Sequence, residues 1–168
     1  MFICCKDVEA VKILSTMPLM IGCDPGKNGG FAWTDGESFD CAAMPPTDGD
    51  IAALLAHLST KAKDVSIYIE EPPLFAGRNI PGSAVGKMMF NFGIILGVSI
   101  ACGFKVHRVR PAIWQKTHPV GTKGDQTTTQ WKNKLKGRAQ ELFPTCDVTL
   151  KTADALLILD AGIRGAIN

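Results

Sequence analysis

The sequence predicts a mixed α/β layer fold, in which helices cover a central five-stranded sheet. Three observations carry this. Five short apolar runs end in turn residues, at 18–24, 31–33, 38–43, 65–70 and 104–109. Stretches with helical apolar spacing separate or follow them. The resulting order is three strands, helix, strand, helix, strand and then helices only. That order places strands from both halves of the chain in one mixed sheet.

Residues 18–24 form the first strand, and Gly26-Lys27-Asn28-Gly29-Gly30 a tight turn. Residues 31–33 and 38–43 follow, joined at Asp35-Gly36, which makes a β-meander. Pro45-Pro46 breaks it. Residues 50–58 have helical spacing, with Asp48 or Asp50 as N-cap. The fourth strand, 65–70, is ended by Glu71-Pro72-Pro73, because proline cannot donate to a ladder. Residues 83–101 form a long helix, nearly apolar in its second half. Gly93 and Gly97 share one face of it and permit close packing against another element. Gly103 stops the helix and 104–109 is the fifth strand. Residues 112–117 form a short helix with Pro111 near its start. A polar loop, 118–127, leads to a basic helix at 128–142 and a closing helix at 153–163. The chain has 168 residues, enough for one full core and too few for two ordinary domains. Residues 17–168 are therefore one domain and 1–16 a short extension that resembles no good signal peptide.

The formal net charge is only +2, but its distribution is uneven. Half of the 18 Lys and Arg lie between Lys105 and Arg138, with Asp125 the only acid among them. Such a block is either a polyanion-binding surface or a solvated helical face. The six cysteines have no CxxC spacing, and several sit in apolar runs, which favours reduced thiols and a cytoplasmic compartment. The apolar run from Phe92 to Cys102 is too short to span a bilayer, so no membrane partner is expected.

Three carboxylates are placed where charge is costly. Asp24 closes the first strand, Glu70 closes the fourth, and Asp154 opens the last helix. A carboxylate at the end of a buried strand needs a cation. Two such strands and a helix start suggest convergence on a hard divalent ion, which takes oxygen ligands and keeps positions open for phosphates. Each acid also has a local alternative. Asp24 can cap an Asp-Pro-Gly turn. Glu70 can pair with Arg78 or Arg108. Asp154 can simply favour its helix dipole.

The motifs resemble those of RuvC-type Holliday junction resolvases, phage and bacterial, and the element order resembles the ribonuclease H-like fold. The matching pieces are Ile21-Gly22-Cys23-Asp24-Pro25-Gly26, Ile69-Glu70-Glu71 and Ala153-Asp154-Ala155-Leu156-Leu157-Ile158, with Lys116-Thr117-His118-Pro119-Val120-Gly121 between them. The resemblance implies an endonuclease that cuts branched DNA symmetrically, leaving 5′-phosphate and 3′-hydroxyl ends. It implies two Mg²⁺ ions, for which Mn²⁺ can substitute, held by Asp24, Glu70 and Asp154 with Asp24 bridging. It implies a homodimer, since a four-way junction is nearly two-fold symmetric. The 83–101 helix, with Gly93 and Gly97, is the place to expect that interface. A phage origin would put the protein in the host cytoplasm.

The family adds a fourth acid or histidine one turn before the last aspartate, and here Lys151 stands there. Glu71 and Asp147 are the candidate replacements; alternatively three acids suffice, or Lys151 contacts the phosphate. Asp160 should point away from the site, since six residues turn a helix about 240°. Lys116 is expected to neutralise the reacting phosphate or to bind backbone. Arg108, Arg110, Lys123, Lys132, Lys134, Lys136 and Arg138 are expected to engage phosphates without reading sequence. Phe75, in the Pro-rich loop, is either a wedge that stacks in the junction or a residue folded back on the core. His107 and His118 are expected to be structural or DNA-facing, and Trp114 and Trp131 to be packing residues.

Rival readings are a ribonuclease H-like nuclease with another nucleic-acid substrate, and a junction-binding protein without catalysis, motivated by Lys151. An actin-like ATPase would need a second nucleotide-binding domain, and no Walker-type phosphate loop is present.

Overall fold

A computed structural model describes residues 18–72 and 82–167. Residues 1–16, Phe75 and Arg78 lie outside the described residues.

The sheet contains β1 (Leu19–Asp24), β2 (Gly30–Thr34), β3 (Phe39–Ala43), β4 (Val65–Glu70) and β5 (Lys105–Val109), in the order β3-β2-β1-β4-β5. The meander β1-β2-β3 is antiparallel, while β4 joins β1 and β5 joins β4 in parallel. The parallel register pairs Cys23 with Ile69, so the next residues, Asp24 and Glu70, end side by side at one edge.

Strand alternation decides which way each residue faces. Leu19, Ile21 and Cys23 of β1 and Val65, Ile67 and Ile69 of β4 face α1 (Asp48–Ser59) and α2 (Gly82–Ala101), in a core that includes Leu55, Phe92 and Ile95. The other face, with Ala32 and Tyr68, is covered by α5 (Ala153–Ile163), backed by α4 (Thr128–Leu142) and α3 (Pro111–Lys116). Asp24 and Glu70 have the parity of this second face.

α5 is the centre of the molecule. Every residue from Ala153 to Gly162 is buried. Gly22 is what lets α5 lie on β1: a Cβ there would stand 2.3 Å from the Ala155 carbonyl oxygen and 2.6 Å from the Leu159 amide.

One local expectation is corrected. The N-cap of α1 is Thr47, whose hydroxyl accepts the Asp50 N–H at 3.1 Å, and Asp48 and Asp50 lie inside the first turn. Gly93 and Gly97 seat no neighbouring element among the described residues of this chain: both are exposed, and a Cβ at either would meet none of those residues within 4 Å, which leaves the face open to a second copy. The apolar residues on that side of α2 are exposed as well, with Phe90 at 64% and Ile100 at 61%. Among the described residues Cys23, Cys41, Cys102 and Cys146 are free thiols, and no helix is long and apolar enough to cross a membrane.

Candidate active site

The covered sheet face, the end of β1 and the start of α5 bring Asp24 and Asp154 to a single cation, Lys132 of α4. The Lys132 ammonium donates to Asp154 Oδ2 and lies 3.9 Å from Asp24 Oδ2. α4 is held rigidly. Its capping box joins Thr127 and Gln130, and Trp131, Leu135 and Ala139 are buried against the α5 side. Lys132 therefore projects from a fixed helix rather than from a loop.

Asp24 also makes the turn that its Asp-Pro-Gly sequence suggests. Its Oδ1 accepts the Gly26 N–H at 2.9 Å. Gly29 passes so close behind that a Cβ would be 2.5 Å from the Asp24 carboxyl carbon. Turn capping and a charged-site role thus use different oxygens of one carboxylate.

Among the described residues no arginine pairs with Glu70. Its Oε2 accepts the Trp114 indole N–H at 2.7 Å, and Trp114 is fully buried. Burial pushes the Glu70 carboxyl up to about 8, aided by the negative charge of Asp24 and Asp154, while Trp114 and Lys132 pull it down. Burial also raises Asp154, outweighing Lys132. Burial alone would lower Lys132, but Asp154, Asp24 and Glu70 together hold it above the usual lysine range. These opposed pressures describe a cluster short of positive charge.

That shortage has a pH signature. Metal-free folded protein keeps a proton on Glu70 that the unfolded chain releases above about 4.5. Its contribution to stability is full below about 4.5 and is lost as pH rises through about 8. Thermal melts in EDTA across this range should show a falling melting temperature, and saturating Mg²⁺ should flatten the decline. A melting temperature that rises steadily from pH 5 to 8 in EDTA would contradict this.

The donors suit a hard divalent cation. All are carboxylate oxygens. Among the described residues nothing hydrogen-bonds the buried Asp154 Oδ1, and Glu70 has an oxygen beyond the one that Trp114 holds. Among the described residues, no three His, Cys, Asp or Glu side chains are gathered as they stand to hold an ion. The positive charge present among the acids is that of Lys132.

The other candidates lie elsewhere. Glu71 has the opposite parity to Glu70 and sits 4.0 Å from Arg110 Nε. Asp147 is exposed, and its carbonyl accepts from Thr152 Oγ1 at 3.3 Å. Lys151 is exposed in the turn before α5, with its N–H donated to Thr149 Oγ1. Lys116 is exposed on α3 and lines a groove with Lys123, which donates to Thr128 Oγ1. Arg108 lies over the Phe92 ring, on the sheet face away from the acids. Lys134 is exposed near Gly121, Lys136 is half-buried, and Arg138 pairs with Glu141 at 2.9 Å. The cations of the basic block therefore point in several directions rather than forming one stripe. Asp160 is held by Arg164 at 2.7 Å, and buried His118 sits between Asp160 and the Leu157 carbonyl. His107 stacks on Tyr68.

Lys132 was visible in sequence only as one lysine among several. The usable signal was its place beside Trp131 and one turn before Leu135, where a charge at the margin of a buried stripe demands a partner.

The fold matches solved structures over nearly its whole length. Thermus thermophilus RuvC in complex with a Holliday junction substrate aligns with a TM-score of 0.58, at 14% identity, over 90% of this chain and 99% of that one. A second Thermus thermophilus RuvC structure aligns with a TM-score of 0.55, at 18% identity, over 89% and 98%. The fold is that of RuvC. The five-stranded mixed sheet flanked by helices is thus the ribonuclease H-like arrangement expected from the sequence. No protein-family model and no curated protein matches the sequence. At these identities RuvC lends this chain its fold, and the chemistry has to be argued from the chain's own residues.

Proposed function

We propose that this protein is a divalent-metal-dependent endonuclease that resolves four-way DNA junctions by paired, symmetric hydrolysis of phosphodiester bonds, leaving 5′-phosphate and 3′-hydroxyl ends. The observation that carries this is the convergence of Asp24, Glu70 and Asp154 on one sheet face, with a buried Asp154 oxygen left without a partner. The RuvC structure that shares the fold was solved with a Holliday junction substrate.

Glu70 and Asp154, with Asp24, would hold Mg²⁺ or Mn²⁺. Such an ion, when bound, activates water for attack and stabilises the leaving oxygen. The protein's own groups do the rest. Trp114 fixes the Glu70 carboxylate. The buried α5 fixes Asp154 against the sheet. Lys132 offers a positive charge where the pentavalent phosphate would gain negative charge. Lys116, Lys123, Lys134 and Arg110, all exposed, would bind backbone phosphates.

One observation favours a second reading. Lys132 neutralises Asp154, and Lys151 is basic and exposed beside the same helix start, so the chain could bind junctions without cutting them. A labelled synthetic four-way junction in Mg²⁺ separates the readings. Paired nicks at symmetric positions support the resolvase. Tight binding with no cleavage in Mg²⁺ or Mn²⁺ supports the binding module. Cleavage only of the RNA strand in an RNA–DNA hybrid would make it a different ribonuclease H-like nuclease.

The resolvase reading also requires two active sites. The exposed positions Gly86, Phe90, Gly93, Gly97 and Ile100 recur every three or four residues along α2, as a helix-pairing seam does. A homodimer through this face is the natural occupant. Phe90→Asp is expected to weaken it by about 2 kcal/mol or more, roughly a 30-fold rise in dimer Kd. Sedimentation would show a monomer, and paired nicks would become single ones. An unchanged dimer would move the interface off α2.

A further inference from the structure

The geometry points to Lys132 as the resident cation of the site: its ammonium takes the place of one of two divalent ions, and Glu70 and Asp154 Oδ1 are left to hold a single one. This rests on the nuclease reading and narrows it.

Three facts lead there. The first is position. Lys132 Nζ is shared by a carboxylate from β1 and a carboxylate from α5, as a bridging cation would be. The capped and buried helix α4 keeps it there, and the ammonium needs no recruitment from solution.

The second is charge. Asp24, Glu70 and Asp154 carry three negative charges when ionised, and Lys132 returns one. One divalent ion brings this set to neutrality, whereas two would leave it doubly positive. Like charges packed at short range are costly in a partly buried site, so the single-ion state is favoured.

The third is the supply of oxygens. Asp24 Oδ1 accepts the Gly26 N–H, Glu70 Oε2 the Trp114 indole N–H and Asp154 Oδ2 the Lys132 ammonium, while Asp24 Oδ2 faces the same ammonium at 3.9 Å. Asp154 Oδ1 is buried and has no partner. Together with the remaining Glu70 oxygen it makes a donor set for one ion that keeps several waters, as Mg²⁺ does. Glu71 faces Arg110 Nε at 4.0 Å, and Asp147 is exposed in the loop before α5, so neither is placed in this set.

An ammonium differs from a metal ion in what it can do. It donates hydrogen bonds to a phosphate oxygen and carries a fixed charge. It does not generate hydroxide from bound water as a divalent ion does. Lys132 would therefore serve the phosphate and the leaving group, and the single ion would serve the attacking water.

The test counts ions on the free protein. Mn²⁺ binding, measured by titration with electron paramagnetic resonance of the unbound ion, is compared in wild type, Lys132→Met and Lys132→Arg. One ion per chain in wild type and in Lys132→Arg, rising to two in Lys132→Met, is the expected result. Equal stoichiometry in wild type and Lys132→Met overturns the inference. If Lys132→Met does not fold by circular dichroism, Lys132→Gln, which keeps a polar side chain of similar length, takes its place under the same criterion. Junction cleavage by wild type is scored separately. Equal stoichiometry with cleavage intact removes only the role of Lys132, whereas absence of cleavage in wild type removes the nuclease reading itself.

Discussion

Asp154→Asn should reduce junction cleavage by on the order of 10³-fold while leaving junction binding within about threefold, because the change removes charge and keeps volume. Asp154 is 5% exposed, so the asparagine fills the same space beside Ala153 and Ala155. What changes is the donor set. A neutral amide is a poor ligand for a hard cation and a poor partner for Lys132. The exposed cations proposed to bind DNA are untouched, so affinity for the junction should survive. Single-turnover nicking and a gel-shift titration, run on one preparation, separate the two effects. Cleavage within tenfold of wild type would remove Asp154 from the site. The variant should also bind Mn²⁺ more weakly, which checks the assignment without reference to activity.

The second large effect falls on stability. Gly22→Ala is expected to cost about 3 kcal/mol or more, at or above the usual range for overpacking. The reason is the nature of the neighbours. The new Cβ would meet the Ala155 carbonyl at 2.3 Å, the Leu159 amide at 2.6 Å and the Leu159 Cβ at 2.9 Å. Two of these are helix backbone, which cannot rotate away as a flexible side chain can. α5 must lift from β1 as a unit, and Asp154 lifts with it. Chemical denaturation should show the loss, and cleavage by the remaining folded fraction should fall too. A cost under about 1 kcal/mol would mean that α5 sits on the sheet with slack that the geometry denies.

Much of this architecture could be read from the residues because the chain is locally consistent. In β1 and β4 the aliphatic residues Leu19, Ile21, Val65, Ile67 and Ile69 occupy one parity, while Gly22, Asp24, Ser66 and Glu70 share the other with Met20 and Tyr68, so the face bearing the acids is the one where polar and small residues interrupt the apolar run. The helices Thr128–Leu142 and Ala153–Ile163 coincide with their expected bounds, the first because Thr127 and Gln130 form a capping box. The first helix began one cap earlier than expected because threonine and aspartate compete as caps, and only the backbone decides between them.

The site was less legible. That Asp24, Glu70 and Asp154 share a neighbourhood could be anticipated from strand ends and a helix start. Which cation meets them could not, because Lys123, Lys132, Lys134, Lys136 and Arg138 look alike in composition. Only the seating of α4 on α5 separates Lys132 from the rest. The indole partner of Glu70 was hidden for a similar reason: Trp114 looks like core, and it is core, but its N–H is aimed at the carboxylate. The glycines of α2 showed a face but not what covers it, because spacing reveals a face and not its neighbour.

The buried helix α5 also sets an order of events during synthesis. It is made after every strand, yet it packs on β1, which is made before the other strands described. Until it docks, one face of the sheet lies open and Asp24 has no Asp154 opposite it. A nascent chain on the ribosome therefore holds a half-built core and an inert cluster of acids, and contacts this distant in sequence form slowly. On the proposed nuclease reading, cutting competence would arrive as the last step of folding, so a partly folded chain would not cut DNA.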